Sequence, residues 1–267
     1  MKKLIGVLCR AVLFFAGWIV IVSFIPVPEF ENPAVWRFFA ELNPFLAIAG
    51  ISLLFWYLEK KTVSIFSTGN HLKGCVTGAV GGVIWLLASF LIMSGLGVLK
   101  IEGYNSVPML WLWVLSVFLN TVMQELLVRG YLYQMIKKTY NIIAAALFTS
   151  CLFTLLHGGA FEAGLLPVMN VFTMSVFMSL VLEYTQSLTA PILMHFIWNC
   201  VGAVILGGVS LAEDYPNVLS LSFSGSEILS GGMCKMEGSV VVFVVNVMFT
   251  VFFAWHLYSS KKDAMVS

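Results

Sequence analysis

The chain repeats one feature from end to end: apolar runs of about the length a helix needs to cross a bilayer, separated by short polar, Gly or Pro breaks. A hydrocarbon core about 30 Å thick asks for roughly 20 apolar residues, and within it every backbone N–H and C=O must be satisfied inside its own segment or by a closed barrel. Segments near Leu4–Pro26, Leu42–Leu58, Gly74–Leu99, Pro108–Tyr133, Asn141–His157, Leu166–Tyr184, Leu188–Gly208 and Ser239–Tyr258 have this character. The sequence therefore predicts an all-α, polytopic transmembrane helical bundle of about eight spans. Residues 1–267 read as a single membrane domain, with a motif-bearing core at about 108–208.

Composition agrees with that reading: 60% of residues are hydrophobic and 10% charged, against about 25% charged in ordinary globular domains. The net charge of +1 says nothing about nucleic acid, and no basic stripe or aromatic-basic interleaving points to a nucleic-acid partner. The five cysteines form no CxxC pair and are assigned neither a disulfide framework nor a metal. Lys2 and Lys3 precede an apolar run longer than a signal-peptide core and interrupted by Arg10, which reads as a retained first span.

With the amino terminus inside, Lys2, Lys3, Lys60, Lys61, Lys73, Lys137, Lys138, Lys261 and Lys262 fall on the cytoplasmic side, and Arg37, Lys100 and Lys235 outside. This is the asymmetry of the positive-inside rule, and it puts both termini in the cytoplasm. The stretch Val209–Gly238, with Glu213, Asp214 and Pro216, reads as an outer loop. No fixed-period repeat is visible, which weighs against transporter folds built from repeated halves.

Three polar patterns interrupt the hydrocarbon: Gln124-Glu125 with Arg129, Phe153 with His157, and His195 with Asn199. Ionisable groups at membrane depth cost roughly 2.5–3.5 kcal/mol each on insertion scales, so such a cluster points to a functional site. Glu125 and Arg129 are four apart and can pair on one helix face, and Gln124 lies about 100° around from Glu125. His195 and Asn199 share a face in the same way. Two schemes fit these residues. In one, His157 and His195, with Glu125 or Asn199, hold a divalent metal such as Zn2+ and a water. In the other, Glu125 with His157 activates water while His195 and Asn199 bind the developing oxyanion. Glu183 reads as interfacial, and Asn170 and Asn246 as bridges between helices.

Taken in order, the three patterns resemble the CPBP family, the CAAX-protease and bacteriocin-processing (Abi) membrane proteins related to the Ras-converting endopeptidase. That family carries Glu-Glu-x-x-x-Arg, then Phe-x-x-x-His, then His-x-x-x-Asn or Asp. The resemblance runs from about Thr121 to Asn199 and includes the continuation Arg129-Gly130-Tyr131-Leu132. It implies a site opening from within the bilayer of a multi-pass bacterial plasma-membrane protein, and endopeptidase action on a membrane-associated or CAAX-type protein or peptide. Glu125, Arg129, Phe153, His157, His195 and Asn199 match position by position, whereas Gln124 stands where the family has its water-activating Glu. A neutral amide cannot act as a general base. Three readings follow: Glu125 has taken the role, a metal alone suffices, or the site is degenerate. In the last case the protein is proteolytically silent and acts in bacteriocin immunity or partner binding.

Overall fold

A computed structural model of the chain describes residues 2–65, 69–210 and 214–266, with side chains as far as 259. Glu213, and the side chains of Lys261 and Lys262, lie outside the described residues. The fold is all-α and polytopic, apart from one two-stranded ribbon. Among the described residues, six helices are long and apolar enough to cross a membrane: Lys2–Phe24, Pro33–Leu58, His71–Gly95, Leu110–Thr139, Leu165–Thr185 and Gly232–Ser259. The chain is a multi-pass membrane protein. The other two expected spans are shorter apolar helices, Ile142–Leu155 and Thr189–Ile205. The 14 residues of Ile142–Leu155 rise only about 21 Å, less than a hydrocarbon core.

The chain divides into two compact units, Met1–Ser67 with Pro108–Thr149, and Thr68–Val107 with Ser150–Ser267. In the first, α1 (Lys2–Phe24) packs on α2 (Pro33–Leu58). Asn32 starts α2 by accepting from the Ala34 and Val35 amides, and Pro33 at the first position lacks an N–H that would have gone unsatisfied. Helix α2 therefore begins nine residues before the expected Leu42, which brings Arg37 and Glu41 inside the helix. The long span at Leu110–Thr139 is α4 (Leu110–Glu125), a π-helical turn over Leu126–Gly130, and α5 (Tyr131–Thr139). Phe14 of α1, fully buried, meets Phe55 edge-on at 5.4 Å and Tyr131 at 5.1 Å. Tyr131 and Arg10 both donate to Glu59 Oε1, at 3.0 and 2.7 Å.

The second unit holds α3 (His71–Gly95), the end of α6 (Ile142–Leu155), α7 (Gly158–Ala163), α8 (Leu165–Thr185), α9 (Thr189–Asn199) with a π-helical turn at Cys200–Ile205, the short α10 (Glu227–Ser230), and α11 (Val240–Val266). Lipid tails are as apolar as leucine, so helices in a membrane gain by close backbone approach and interhelical hydrogen bonds rather than by hydrophobicity. Helix α3 shows the first: a Cβ on Gly78 would lie 2.7 Å from the Ala190 carbonyl oxygen, and one on Gly82 would lie 3.0 Å from Met194 Cα. The second appears at Asn246, which accepts from Trp85 Nε1 at 2.9 Å and donates to the Asn170 carbonyl at 3.1 Å. Asn170 in turn donates to the carbonyls of Glu237 and Ser239. Both asparagines bridge helices or loops as the sequence predicts. Trp85 also stacks on Trp198, with ring centroids 3.9 Å apart.

One feature departs from expectation in this unit. The stretches after α3 and within Val209–Gly238 pair as an antiparallel ribbon, β1 (Leu99–Tyr104) with β2 (Leu219–Phe223), in register Leu99↔Phe223. Glu183, two residues from the end of α8, is 5% exposed, and its carboxylate and carbonyl both accept from Gln186.

Candidate active site

In the first unit the end of α4 carries the glutamate pattern. Glu125 and Arg129 are both fully buried, and Arg129 Nη1 donates to Glu125 Oε1 at 2.9 Å. The ion pair predicted from the spacing forms. It forms across the junction where α4 gives way to the π-turn, whose first residue is Leu126. Such turns widen the helix by one residue and re-aim the side chains around them. One oxygen of Glu125 is thus committed to a guanidinium, a geometry that favours a fixed charge over a proton shuttle.

Gln124 points to a different set of partners. Its Nε2 donates to Asn120 Oδ1 at 2.6 Å, and Asn120 Nδ2 donates to Glu41 Oε2 at 2.9 Å. The other oxygen of Glu41 pairs with Arg37 Nη1 at 3.2 Å, one turn back on α2. Sequence reading missed Arg37, Glu41 and Asn120. With the span expected to begin at Leu42, Arg37 falls outside it among the outer-side cations. The available signal was the same i, i+4 acid–base spacing that singled out Glu125 and Arg129, with Asn120 one turn before Gln124.

In the second unit α6 ends at Leu155, and the backbone leaves helical geometry at His157 (φ −98°, ψ 62°) before α7. The break diverts the His157 amide to the Thr154 carbonyl. The Phe153 carbonyl, left without that amide, lies 2.7 Å from His157 Nδ1. A carbonyl only accepts, so Nδ1 carries the hydrogen and Nε2 the lone pair. Helix termination thereby selects the tautomer of the imidazole. His157 is half-buried, while His195 is 2% and Asn199 5% exposed. The Phe153 ring lies against both imidazoles, 4.3 Å from His157 and 5.9 Å from His195 between centroids.

Helix α9 presents His195 and Asn199 one turn apart, and its second π-turn begins at the very next residue, Cys200. Both i, i+4 motifs therefore abut a π-turn, a feature with no composition signal and frequent at functional sites. The glycine face of α3 sets α9 in place through Ala190 and Met194, the latter adjacent to His195. Of the expected residues, the structure joins Glu125 to Arg129 in the first unit and gathers His157 and His195 around Phe153 in the second. A catalytic zinc commonly takes three protein ligands. Among the described residues no three of His, Cys, Asp and Glu form such a group, and of the expected ligands His157 and His195 are the two that share a neighbour, the Phe153 ring.

Residues 106–201 match the family model described as Rce1-like, type II CAAX prenyl endopeptidase Rce1-like, an interval that includes all three motifs. No curated protein and no solved structure matches the chain.

Proposed function

The chain carries an Rce1-like domain of the CPBP family of membrane proteins, and on that premise we propose that it is an endopeptidase cleaving a membrane-associated or CAAX-type protein or peptide. The observation that supports this best is His157, whose Nδ1 is tied to the Phe153 carbonyl so that Nε2 is the basic nitrogen. In the reaction Nε2 takes a proton from water as the oxygen attacks the scissile carbonyl carbon, then returns it to the leaving amine. His195 and Asn199 donate hydrogen bonds to the oxyanion. Within the first unit the Glu125–Arg129 pair fixes the helix that carries Gln124, whose amide can orient water without accepting its proton. The order of the three motifs along the chain, which is the family's, supports their serving one reaction.

No step is routed through a metal, and cleavage of a membrane-tethered peptide by the protein in bilayers is expected to survive chelators at concentrations that strip zinc. Loss of cleavage, restored by Zn2+, would overturn the metal-free scheme. The lysine distribution supports cytoplasmic termini, and reporter fusions after Lys138 and Lys262 should both read cytoplasm.

A second reading draws support from one specific observation. Gln124 occupies the position of a base, and Glu125 is held by Arg129. A proteolytically silent protein serving bacteriocin immunity or partner binding would tolerate both. Wild-type protein inert toward a panel of tethered peptides, in membranes where a related enzyme works, decides for that reading.

A further inference from the structure

The chain of hydrogen bonds from Arg37 through Glu41 and Asn120 to Gln124 has a direction. A carboxylate paired with a guanidinium only accepts, so the Asn120 group facing Glu41 Oε2 is its NH2. Asn120 Oδ1 then faces the other way and accepts, so the Gln124 group 2.6 Å from it must be an NH2 as well. The orientations of two amides, ordinarily ambiguous, are thus fixed by one charge. What remains at the far end is Gln124 Oε1, which is buried and accepts no hydrogen bond among the described residues.

We infer that Glu41 is a positioning residue which, acting through Asn120, locks Gln124 with its carbonyl oxygen as the group offered beyond the relay. On the endopeptidase reading, on which this part rests, that oxygen holds the attacking water. The relay also explains why an amide occupies position 124. A glutamate there would set two acceptors against each other at the distance now bridged by Nε2–H. The negative charge that a glutamate at 124 would bring is carried instead by Glu41, on the neighbouring helix of the same unit, with Asn120 between. Gln124 is matched to its surroundings and is no isolated loss.

The inference has a reversal built into it. In a Glu41→Gln, Gln124→Glu double variant the new amide at 41 can donate to Asn120 Oδ1 and Asn120 Nδ2 can donate to the new carboxylate at 124. The same three side chains are then satisfied in the opposite sense. Gln124→Glu alone cannot do this while Glu41 is ionised.

The test uses full-length protein in lipid bilayers. Side-chain amide NMR of wild type should show the Gln124 Nε2 protons shifted downfield and slow to exchange. Glu41→Gln should abolish that signature and Glu41→Asp should keep it. In thermal unfolding, Gln124→Glu should lower Tm and the double variant should recover most of the loss through Asn120, which bonds to both positions. Additive effects at the two positions, or a Gln124 amide signal unchanged by Glu41→Gln, would overturn the relay. Cleavage reads the role in catalysis: Glu41→Gln should cost roughly 10–100-fold in kcat with KM little changed, the scale of a misplaced reacting group, while Glu41→Asp restores most of it. Wild type inert toward every tethered peptide would overturn the endopeptidase reading and the water-holding role with it. The NMR and Tm readings decide the relay in either case.

Discussion

In the first unit Glu125 and Arg129 are withdrawn from solvent completely and hold one another at 2.9 Å. In the second, His157 stands where a helix breaks, half-buried, with one ring nitrogen tied to the backbone. Both arrangements use a polar side chain inside apolar surroundings, but they do opposite things with it. A buried ion pair is stable only as a pair, since removing either charge strands the other. An imidazole anchored at Nδ1 can gain or lose a proton at Nε2 without giving up its anchor. The difference separates groups that hold the fold from groups able to trade protons, a distinction the motifs alone do not make.

The largest effect expected from that division is on catalysis. Replacing His157 by Ala should lower cleavage of a membrane-tethered peptide by about 10²–10⁴-fold, the usual contribution of a general base. His195→Ala should cost a similar factor through the oxyanion, with membrane insertion retained and Tm lowered by the loss of a buried ring. Glu125→Gln combined with Arg129→Met should cost much less, because that pair carries no proton in the scheme. The comparison breaks if the paired replacement abolishes cleavage while His157→Ala retains it.

Stability should show the reverse ranking. Arg129→Ala leaves the Glu125 carboxylate buried and uncompensated, a loss of about 3–5 kcal/mol in typical cases. Glu125→Gln with Arg129→Met removes both charges and should recover most of that loss in a double-mutant cycle read by thermal or denaturant unfolding. An Arg129→Ala protein no less stable than the double variant would mean that Glu125 is not a fixed charge.

Much of this was legible in the sequence, and the rest was hidden for identifiable reasons. Among the described residues, apolar runs located the six long helices and the two shorter apolar ones, because burial in lipid demands that composition. The i, i+4 spacing of Glu125 with Arg129 announced their ion pair. The same spacing at Arg37 and Glu41 lies outside the apolar run, whereas Asn32 and Pro33 start the helix before it. The pairing of Leu99–Tyr104 with Leu219–Phe223 joins stretches more than a hundred residues apart, and no local pattern reports such a partner. The π-turns after Glu125 and Asn199 leave no mark in hydrophobic periodicity, nor does the helix end that fixes the His157 tautomer.

The histidine side of the comparison depends on how closely α9 can sit. Gly78→Ala would bring a Cβ to 2.7 Å from the Ala190 carbonyl oxygen, a backbone atom unable to yield. An overpacked site of this kind costs about 1–3 kcal/mol. Because α9 also carries His195, kcat should fall along with Tm. Gly6→Ala, inside α1 with nothing within 4 Å of the new Cβ, is the control and should lower neither, Tm rising slightly with the better helix former. Equal behaviour of the two variants would show that the glycine face does not position His195.

The smallest effect concerns Glu59, which sits just past the end of α2 and makes the same kind of pair as Glu125 but with water at hand. Burial works against its ionisation, yet hydrogen bonds from Arg10 and Tyr131 outweigh that and hold its carboxyl below the ordinary carboxylate range. A carboxyl lowered by folding stabilises the folded state in full above its unfolded value, near 4.3, and that contribution fades as pH falls through the lower folded value. With Arg10 partly solvent-exposed, the pair should contribute no more than about 1 kcal/mol. Unfolding midpoints measured from pH 7 downward should therefore show an acid limb beginning near pH 4.3, shallower in Glu59→Gln and weakened by added salt. An acid limb unchanged by Glu59→Gln and removed by Glu125→Gln would mean that the buried pair titrates before the accessible one, and the contrast between fixed and exchangeable protons would then have to be redrawn.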